Sequence, residues 1–439
     1  MSIESPHIFI TGDMGPALPP PFGGIMKRTL LHAKDWRERG ATITVQVYAG
    51  KKTYDDLGAD AEYLYDFPAA PRIMAKISFI LKNLLRAPFL FVRLFVAEAR
   101  VGQVSEWPHM LYAAARGVTA DAYFRKRRPD AVVAETASFQ SYVASIIARR
   151  HGIPLILIHS AEIMCNPESG PLWRSELAAA DRIISTSMHC AKGPHAFSSQ
   201  EGKMHLVYSG VNFELFSNPP KEEKTAVLGH FGLPAGKFVI LSIGSLHPRK
   251  GHDQLFSAIL ALPEEARRKM HVVLCGTGSA AAMREKAREL GFPEASLTIL
   301  EKLPEEEMAR LYGAADAFCF PSVSDRECMG LALKEALSAG LPVIAYRSGG
   351  IPEAVEGGVN GFLAEPNDIS GLSKAILALR ALTPAERAHM KEVSQRKAQA
   401  LFDVRRTSEQ VYRIVQDAIA ASLRNPESSR GVYLDTEHA

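Results

Sequence analysis

The stretch of the chain that most constrains its fold is residues 317–346, where two short apolar runs flank a helical pattern. The apolar runs are residues 317–320 and 343–346, and residues 329–339 repeat apolar side chains at helical spacing before a stop at Gly340. A strand, a helix and a second strand in this order form a βαβ unit, whose strands run parallel. The stretch therefore predicts an α/β fold built on a parallel sheet.

Two glutamates flank the start of that helix. Glu327 lies in the preceding loop, Gly330 lies at the first turn, and Glu335 follows one turn further, on the face of Leu331. The amides near Gly330, including those of Met329 and Leu331, suit a phosphate, because helix N-termini carry unsatisfied N–H groups. Carboxylates accept from two hydroxyls, which suits a ribose at Glu335 and a sugar at Glu327. The pattern predicts a site for a nucleotide diphosphate sugar; the alternative is two ordinary solvated charges around a helix start.

This stretch resembles the family 4 retaining glycosyltransferases of GT-B fold, also called glycosyltransferase group 1. Their signature has two glutamates with seven residues between them, Pro-Ser before the first, and Ala, Gly and Pro-Val after the second. The matching residues are Pro321, Ser322, Glu327, Glu335, Ala336, Gly340, Pro342 and Val343, followed by Gly349, Gly350, Glu353, Asn360 and Gly361. The family's Glu-Gly-Phe-Gly stands here as Glu327-Cys328-Met329-Gly330, which keeps the anion site but changes the residues around the sugar.

Composition fits two ordinary globular domains. The chain has 439 residues, 47% of them hydrophobic and 23% charged, and its formal net charge of +3 gives no reason to expect a nucleic-acid partner. Its five cysteines lack the spacing of a disulfide framework or a zinc site, so we expect a reducing, cytoplasmic environment. We expect no signal peptide, and no apolar run of the sequence is long enough to span a membrane.

Strand and helix patterns alternate along the chain, which predicts doubly wound parallel sheets. Strand patterns of the first half lie at residues 7–11, 42–48, 130–136, 154–159 and 180–186, and the pattern restarts at 238–243. The resemblance implies the fold class α/β, GT-B, with two Rossmann-like domains that face a central cleft. The predicted domains are residues 1–214 and 215–403, with a terminal helix at 404–424 that returns to the first domain and a disordered tail at 425–439.

Two features of the first half gain a role from the resemblance. Gly23 and Gly24 open the first helix at the sheet edge where open α/β folds bind ligands, although a bare glycine pair is more often a turn. His159 ends an apolar strand, where a lone histidine is as often structural as functional. In the family the glycine pair faces the donor diphosphate and the acceptor, and the histidine faces the donor sugar. The resemblance therefore implies donor contacts at Gly23 and Gly24 and a catalytic contact at His159.

The loop after residues 238–243 has two cations, Arg249 and Lys250, just before a helix. Cations there oppose the helix dipole unless an anion lies between them, so the pair predicts a diphosphate; solvated surface charges are the alternative. The family has an Arg and a Lys on the leaving diphosphate in this loop. Lys250 matches the Lys, whereas Ser245 stands where the Arg is expected and Arg249 is the nearest substitute. The resemblance also implies donor contacts at Gly244, Gly276 and Gly278.

The resemblance implies transfer of a hexosyl unit from a nucleotide diphosphate sugar to a hydroxyl acceptor with retention of configuration. It implies a front-face substitution in which Glu327, Lys250, Arg249 and His159 are catalytic and the departing diphosphate is stabilised electrostatically. No cofactor is expected, and no divalent metal, because the cations and a helix terminus would supply the positive field. The alternatives are a non-catalytic GT-B subunit, favoured by Ser245 alone, and another GT-B enzyme such as a nucleotide-sugar epimerase or a phosphorylase.

Residues 71–100 form a separate apolar and basic segment. Before Glu98 this segment has five cations and no acid among its many large apolar residues. Helical spacing would gather a basic stripe of Arg72, Lys76, Asn83, Arg86, Arg93 and Arg100, with a break at Pro88. Such a segment suits an anionic membrane surface, which would make the protein peripheral on the inner face of the membrane and its acceptor a lipid-linked or cell-surface polysaccharide precursor. A core helix with its basic side in water explains the pattern equally well.

Overall fold

The structure, a computed structural model, describes residues 4–11, 24–47, 62–65, 73–99, 107–135, 139–159, 177, 179–192, 202–301, 303–325 and 327–424. It divides into two compact units: the first runs to Val207 and resumes at Ser408, and the second is Tyr208–Thr407. The division falls earlier than residue 214, because the backbone of Val211 pairs with that of Asp403 inside the second unit. The predictions for Gly23, Arg72, Arg100 and the tail at 425–439 lie outside the described residues.

The described elements of the first unit alternate between strands and helices. In chain order they are β1 (His7–Thr11), α1 (Gly24–Glu38), β2 (Thr42–Val47), β3 (Glu62–Tyr65), α2 (Ile73–Arg86), α3 (Pro88–Ala99), α4 (Trp107–Lys126), β4 (Ala131–Ala134), α5 (Phe139–Arg150), β5 (Leu155–His159), β6 (Arg182–Ser185), α6 (Met188–Ala191) and β7 (Met204–Leu206). The described strands form one parallel sheet in the order β3-β2-β1-β4-β5-β6-β7.

The second unit repeats this alternation. Its described elements, followed by the last helix of the chain, are α7 (Phe213–Ser217), α8 (Lys224–His230), β8 (Phe238–Ile243), a 3₁₀ turn (Pro248–Lys250), α9 (His252–Leu260), α10 (Glu264–Arg268), β9 (Met270–Cys275), α11 (Ala280–Glu289), a 3₁₀ turn (Glu294–Ser296), β10 (Leu297–Leu300), α12 (Glu305–Ala314), β11 (Ala317–Phe320), α13 (Leu331–Ala339), β12 (Val343–Tyr346), α14 (Ile351–Ala354), β13 (Gly361–Ala364), α15 (Ile369–Ala381), α16 (Pro384–Phe402) and α17 (Val404–Arg424). The described strands form a parallel sheet in the order β10-β9-β8-β11-β12-β13.

Both sheets are doubly wound, as the alternation of strand and helix patterns predicts. In each unit the first strand lies inside the sheet, the next two strands extend the sheet on one side, and the following strands extend it on the other. The order therefore reverses between β1 and β4 and between β8 and β11. Open α/β sheets bind ligands outside the carboxyl ends of their strands at such reversals.

The central strands are apolar throughout because helices cover both faces of each sheet. In β1, Phe9 packs into one apolar cluster while its neighbours Ile8 and Ile10 pack into another on the opposite face. All residues of β5 and β11 are likewise buried. Such continuous apolar runs are typical of parallel strands that are covered on both sides.

The last helix of the chain, α17, packs within the first unit. Val411, Val415 and Ile419 follow one another at a spacing of four residues and are buried in the same cluster as β1 and β2. The indole N–H of Trp36 on α1 also donates to the carbonyl oxygen of Ser408 at 3.2 Å. Helix α17 is therefore integral to the core of the first unit.

Candidate active site

Four loops of the second unit lie at the carboxyl edge of its sheet, after β8, β9, β11 and β12. Their backbones are joined by hydrogen bonds. The N–H of Leu246 donates to the carbonyl oxygen of Thr277 at 2.7 Å, which joins the first two loops. The N–H of Gly350 donates to the carbonyl oxygen of Glu327 at 2.9 Å, which joins the last two. Because backbone contacts fix these loops, the edge forms a connected surface at the reversal of strand order.

Three of the glycines for which the resemblance implies donor contacts, Gly244, Gly276 and Gly278, lie in the first two loops. Gly244 follows β8, and its N–H donates to the carbonyl oxygen of Cys275 at 3.0 Å. Gly276 follows β9 in close contact with it, since a Cβ atom on Gly276 would lie 1.8 Å from the carbonyl oxygen of Gly244. Gly278 completes the same turn. The structure therefore brings these three glycines together, and only glycine fits at position 276.

A charged pair joins the β8 loop to the β11 loop. The Nζ atom of Lys250 lies 2.5 Å from Oε2 of Glu327, and the two side chains are 15% and 11% exposed. The hydroxyl of Ser322 also donates to this carboxylate oxygen at 3.4 Å, and Lys250 lies over the ring of Phe320, 5.6 Å from its centroid. Two residues that were assigned to different parts of the ligand, the diphosphate and the sugar, are thus in direct contact.

Arg249 lies beside this pair in the 3₁₀ turn, with its side chain half-buried. Its carbonyl oxygen accepts from the N–H of Val323 at 3.3 Å and lies 3.4 Å from the hydroxyl oxygen of Ser322, so the β11 loop holds the turn in place. Ser245, which stands where the family has its Arg, lies earlier in the same loop. The carbonyl oxygen of Ser245 lies 3.3 Å from Nε2 of His252.

His252 is a support of this loop that has no counterpart among the predicted residues. It is buried at the start of α9, and its Nδ1 atom lies 3.2 Å from the hydroxyl oxygen of Ser242. Burial lowers the pKa of His252 to about 4, so the ring is neutral at physiological pH. A neutral ring with its proton on Nε2 donates to the carbonyl oxygen of Ser245. The signal in the sequence that could have identified this residue is its position directly after Lys250 and Gly251.

Helix α13 begins at Leu331, later than the predicted start at Met329. The reason is Gly330, whose φ of +70° and ψ of 138° are not helical. The described helix has no side-chain cap and no acid in its first turn, so its N-terminus presents the positive end of the dipole at the sheet edge. The side chain of Met329 is fully buried in the core of the second unit, which leaves its backbone amide for the predicted donor contact.

Glu335 lies one turn into α13, as predicted, but its side chain is only 3% exposed. The hydroxyl of Tyr312 lies 3.0 Å from Oε2 of Glu335 and 3.0 Å from the carbonyl oxygen of Ala332. Burial raises the pKa of Tyr312 well above its usual range, and the nearby charge of Glu335 raises it further. The phenol therefore stays protonated and fixes the orientation of the carboxylate.

His159 lies in the first unit, at the carboxyl end of β5, and is buried. Burial lowers the pKa of His159 to about 3, and the charge of Arg28 also lowers it, against a hydrogen bond with the backbone of Cys190 that raises it. The ring is therefore neutral at physiological pH, and it cannot act as a resident cation. Gly24 belongs to the same unit and is the first residue of α1.

An ion pair at this edge of the first sheet has no counterpart among the predicted residues. Glu135 follows β4 and is fully buried, with Oε2 at 2.8 Å from Nε of Arg28 and Oε1 at 3.3 Å from Nδ1 of His32. Burial by itself would raise the pKa of Glu135, but Arg28 and His32 outweigh burial and hold it below its usual value. The signal in the sequence that could have identified Glu135 is its position directly after the apolar strand β4.

Four of the five cysteines lie in the described part of the chain. Cys190, Cys275 and Cys319 are buried, and Cys328 is half-exposed beside Glu327. Within the ranges that the structure describes, no group of three or more His, Cys, Asp or Glu side chains is placed to hold a metal ion. The expectation that no metal is required stays a prediction.

Comparisons with known proteins find a family match within the second unit and relatives that match longer stretches of the chain. Residues 224–397, which contain Lys250, Glu327 and Glu335, match the family described as glycosyl transferases group 1. A D-inositol 3-phosphate glycosyltransferase of Streptomyces avermitilis is 29% identical over 281 residues, 59% of this chain and 59% of that protein. One of Saccharomonospora viridis is 27% identical over 340 residues, 72% of this chain and 77% of that protein. The match thus spans less than two thirds of the length of the first of these relatives.

Solved structures with the same fold cover nearly the whole chain. Anabaena Alr3699/HepE in complex with UDP and glucose has a TM-score of 0.69 and 20% identity, covering 94% of this chain and 99% of that one. Sucrose-phosphate synthase from Thermosynechococcus elongatus has a TM-score of 0.72 and 20% identity, covering 95% and 100%. These likenesses confirm the predicted α/β fold class, GT-B. Residues 224–397 thus match the glycosyl transferases group 1, the family that the sequence resembles.

Proposed function

We propose that the protein is a retaining glycosyltransferase that moves a hexosyl unit from a nucleotide diphosphate sugar to a hydroxyl acceptor. The observation that carries the proposal is the contact of Lys250 with Glu327 beside the N-terminus of α13. A cation that suits a diphosphate and a carboxylate that suits sugar hydroxyls lie 2.5 Å apart at this edge. A donor whose diphosphate is bonded directly to its sugar matches that short separation.

The diphosphate is assigned to Lys250, Arg249 and the amides of Gly330 and Leu331. In the structure, Lys250 donates to Glu327. A diphosphate oxygen is negatively charged, as the Glu327 carboxylate is, and offers Lys250 a second acceptor. When Lys250 donates to the diphosphate, the carboxylate of Glu327 can accept from sugar hydroxyls. The helix terminus adds backbone donors and the positive end of a dipole, which favour the same anion.

The nucleoside is assigned to Glu335 and to the glycine loops. Glu335 is oriented by the Tyr312 hydroxyl, and a carboxylate oriented in advance binds a ribose diol at a lower entropic cost than a mobile one. The close approach of Gly276 to Gly244 leaves backbone rather than side chains beside the nucleotide. Both features support a preformed site, but neither specifies the base.

The proposed reaction is a front-face substitution. The bond between C1 of the sugar and the diphosphate oxygen breaks, and the acceptor oxygen bonds to C1 from the same face. The acceptor proton passes to the departing diphosphate oxygen. Lys250 and Arg249 stabilise the negative charge that develops on that oxygen, which is the largest catalytic contribution we expect. Glu327 and the neutral His159 are assigned to hydrogen bonds with the sugar that strengthen in the transition state.

The names of the similar proteins narrow the choice of proposed substrates. The Anabaena structure contains UDP and glucose, which favours a uridine diphosphate sugar as donor for this chain. The curated relatives are named for D-inositol 3-phosphate, so a phosphorylated polyol is the first soluble acceptor to test. A lipid-linked or cell-surface polysaccharide precursor is the second acceptor that we propose, used by a protein on the inner face of the membrane.

A non-catalytic subunit that binds the donor is the second candidate function. The observation that favours it is Ser245, which stands where the family has an Arg and whose carbonyl oxygen accepts from His252. Under this alternative the donor site is intact but the stabilisation of the leaving group is incomplete.

The experiment is incubation with UDP-glucose and each acceptor class, with the anomeric configuration of the product read by NMR. We expect a product with retained configuration and undiminished turnover in excess EDTA. Lys250→Ala should lower turnover by about 10² or more, as loss of one oxyanion donor does, whereas Lys286→Ala, an exposed lysine on α11, should not. An inverted product would contradict the proposed reaction, and tight donor binding without turnover on any acceptor would favour the non-catalytic subunit.

A further inference from the structure

Helices α2 and α3 expose a row of large apolar side chains. The row, which we call the apolar stripe, follows helical spacing across both helices and consists of Ile77, Leu81, Leu85, Phe89, Val92 and Val96. Leu85 and Phe89 lie at the junction of the two helices and are 81% and 91% exposed. Of the two alternatives for residues 71–100, only a membrane surface would cover such a stripe from outside the chain, because a core helix would bury these residues and leave only the basic side in water.

The opposite face of the same helices is already packed. Phe91 and Leu94 are buried against α4 and α5 in one apolar cluster. Asn83, predicted on the basic stripe, is instead buried: its amide donates to the carbonyl oxygen of Phe79 at 3.0 Å and its Oδ1 accepts from Thr119 at 3.2 Å. The core of the first unit therefore does not require the apolar stripe.

Cations border the apolar stripe. Lys82 and Arg86 are exposed on α2, each one residue after a member of the stripe, and Arg93 is exposed on α3. The sequence has no Asp or Glu between residues 67 and 97. The exposed face thus combines large apolar side chains with positive charge, which is the composition of helices that lie in the interface of anionic bilayers.

We propose that the apolar stripe, with Lys82 and Arg86, binds the surface of an anionic lipid bilayer. The helices have 14 and 12 residues, and no described helix of the chain is both long and apolar enough to cross a bilayer, so the expected geometry is parallel to the membrane. Phe89 and Leu85 enter the boundary between headgroups and acyl chains, while Lys82 and Arg86 contact lipid phosphates. The proposal does not depend on glycosyl transfer, since binding is measured without substrate.

The test is co-sedimentation of the full chain with vesicles of phosphatidylcholine and phosphatidylglycerol. We expect binding at low ionic strength that weakens as the Debye length falls from about 30 Å at 0.01 M salt to about 3 Å at 1 M. Leu85→Ser with Phe89→Ser should lower the vesicle-bound fraction at least tenfold, and Lys82→Glu with Arg86→Glu should do the same at low salt. Both double variants should keep the wild-type melting temperature, because the altered side chains are exposed.

Matched controls come from the rest of the chain. Leu377→Ser with Leu423→Ser removes two exposed leucines outside the stripe, and Arg268→Glu with Lys269→Glu makes the same change in net charge at the C-terminal end of α10. Both controls should bind vesicles as the wild type does. The proposal is overturned by a wild type that does not bind, by equal binding to pure phosphatidylcholine, or by equal losses in the controls. It is also overturned if light scattering shows a dimer that Phe89→Ser dissociates, since the stripe would then cover a second copy of the chain.

Discussion

Replacing Gly330 by Ala tests the proposed anion site through its backbone. Gly330 has a φ of +70°, and it immediately precedes the first residue of α13. Its backbone conformation is one that residues with a Cβ atom rarely adopt, and a Cβ atom there would lie 2.6 Å from Cζ of the buried Phe320. The substitution therefore introduces both backbone strain and a steric overlap at the start of the helix.

The expected cost follows from these two contributions. A residue with a side chain in a sparsely populated backbone region costs about 1–3 kcal/mol, and overpacking a well-packed core costs about 1–3 kcal/mol more. The smaller entropy of the unfolded alanine chain offsets about 0.4–1 kcal/mol. We therefore expect the free energy of unfolding to fall by about 1–5.5 kcal/mol, compared with about 5–15 kcal/mol for the total stability of an ordinary domain. If the chain relieves the overlap by moving the start of α13, the amides move with it.

The assay has two readouts, urea denaturation and the affinity for UDP. We expect lower stability and at least a tenfold higher Kd for UDP in Gly330→Ala. The matched control is Gly229→Ala in α8, where φ is not positive and no atom lies within 4 Å of the new Cβ atom. There alanine should raise stability by about 0.5–1 kcal/mol and leave UDP binding unchanged. Equal stability and equal UDP affinity in Gly330→Ala and wild type would refute the reasoning.

Two further predictions concern buried charge. Arg28→Ala leaves the carboxylate of Glu135 buried without its main partner, so the free energy of unfolding in urea should fall by about 3–5 kcal/mol. Arg39→Ala breaks a surface pair with Asp35 and should lower it by only about 0–1 kcal/mol. Similar losses in the two variants would contradict the account of the buried pair. Burial lowers the pKa of His252 to about 4 from a usual 6.5, so below pH 6.5 the unfolded chain binds a proton that the folded chain does not. Stability should therefore fall as pH decreases from 6.5 to about 4, by up to about 1.4 kcal/mol per pH unit for this group, and His252→Asn should reduce the slope by that contribution. An unchanged slope in His252→Asn would show that His252 is not the group responsible.

The sequence predicts the fold well because its signals are local. Continuous apolar runs such as β5 and β11 are typical of strands covered on both faces, and their alternation with helices leaves few arrangements other than doubly wound sheets. The end of α13 was also predicted correctly, since Gly340 has a left-handed conformation that ends a helix. Its start was predicted too early because apolar spacing continues through Met329, and only the backbone angles of Gly330 show that the helix has not yet begun.

Contacts between side chains far apart in the sequence could not be predicted. The pair of Lys250 with Glu327 joins two loops that helices and strands separate by 77 positions. The orientation of Glu335 depends on Tyr312, a residue that the spacing of α12 marks only as core. Helical spacing alone likewise placed Asn83 on a basic stripe, whereas its position is decided by packing against α4 and the hydrogen bond from Thr119.

Equilibrium binding of nucleotides by calorimetry tests the central claim most directly. The claim is that Lys250, Glu327 and the N-terminus of α13 form the site for a nucleotide diphosphate sugar. We predict that the wild type binds UDP and UDP-glucose, and that Lys250→Ala raises the Kd for both at least tenfold. Glu327→Ala should weaken UDP-glucose binding more than UDP binding, because its contacts are with the sugar. Absence of binding to any nucleotide diphosphate, or wild-type affinities in both variants, would contradict the account.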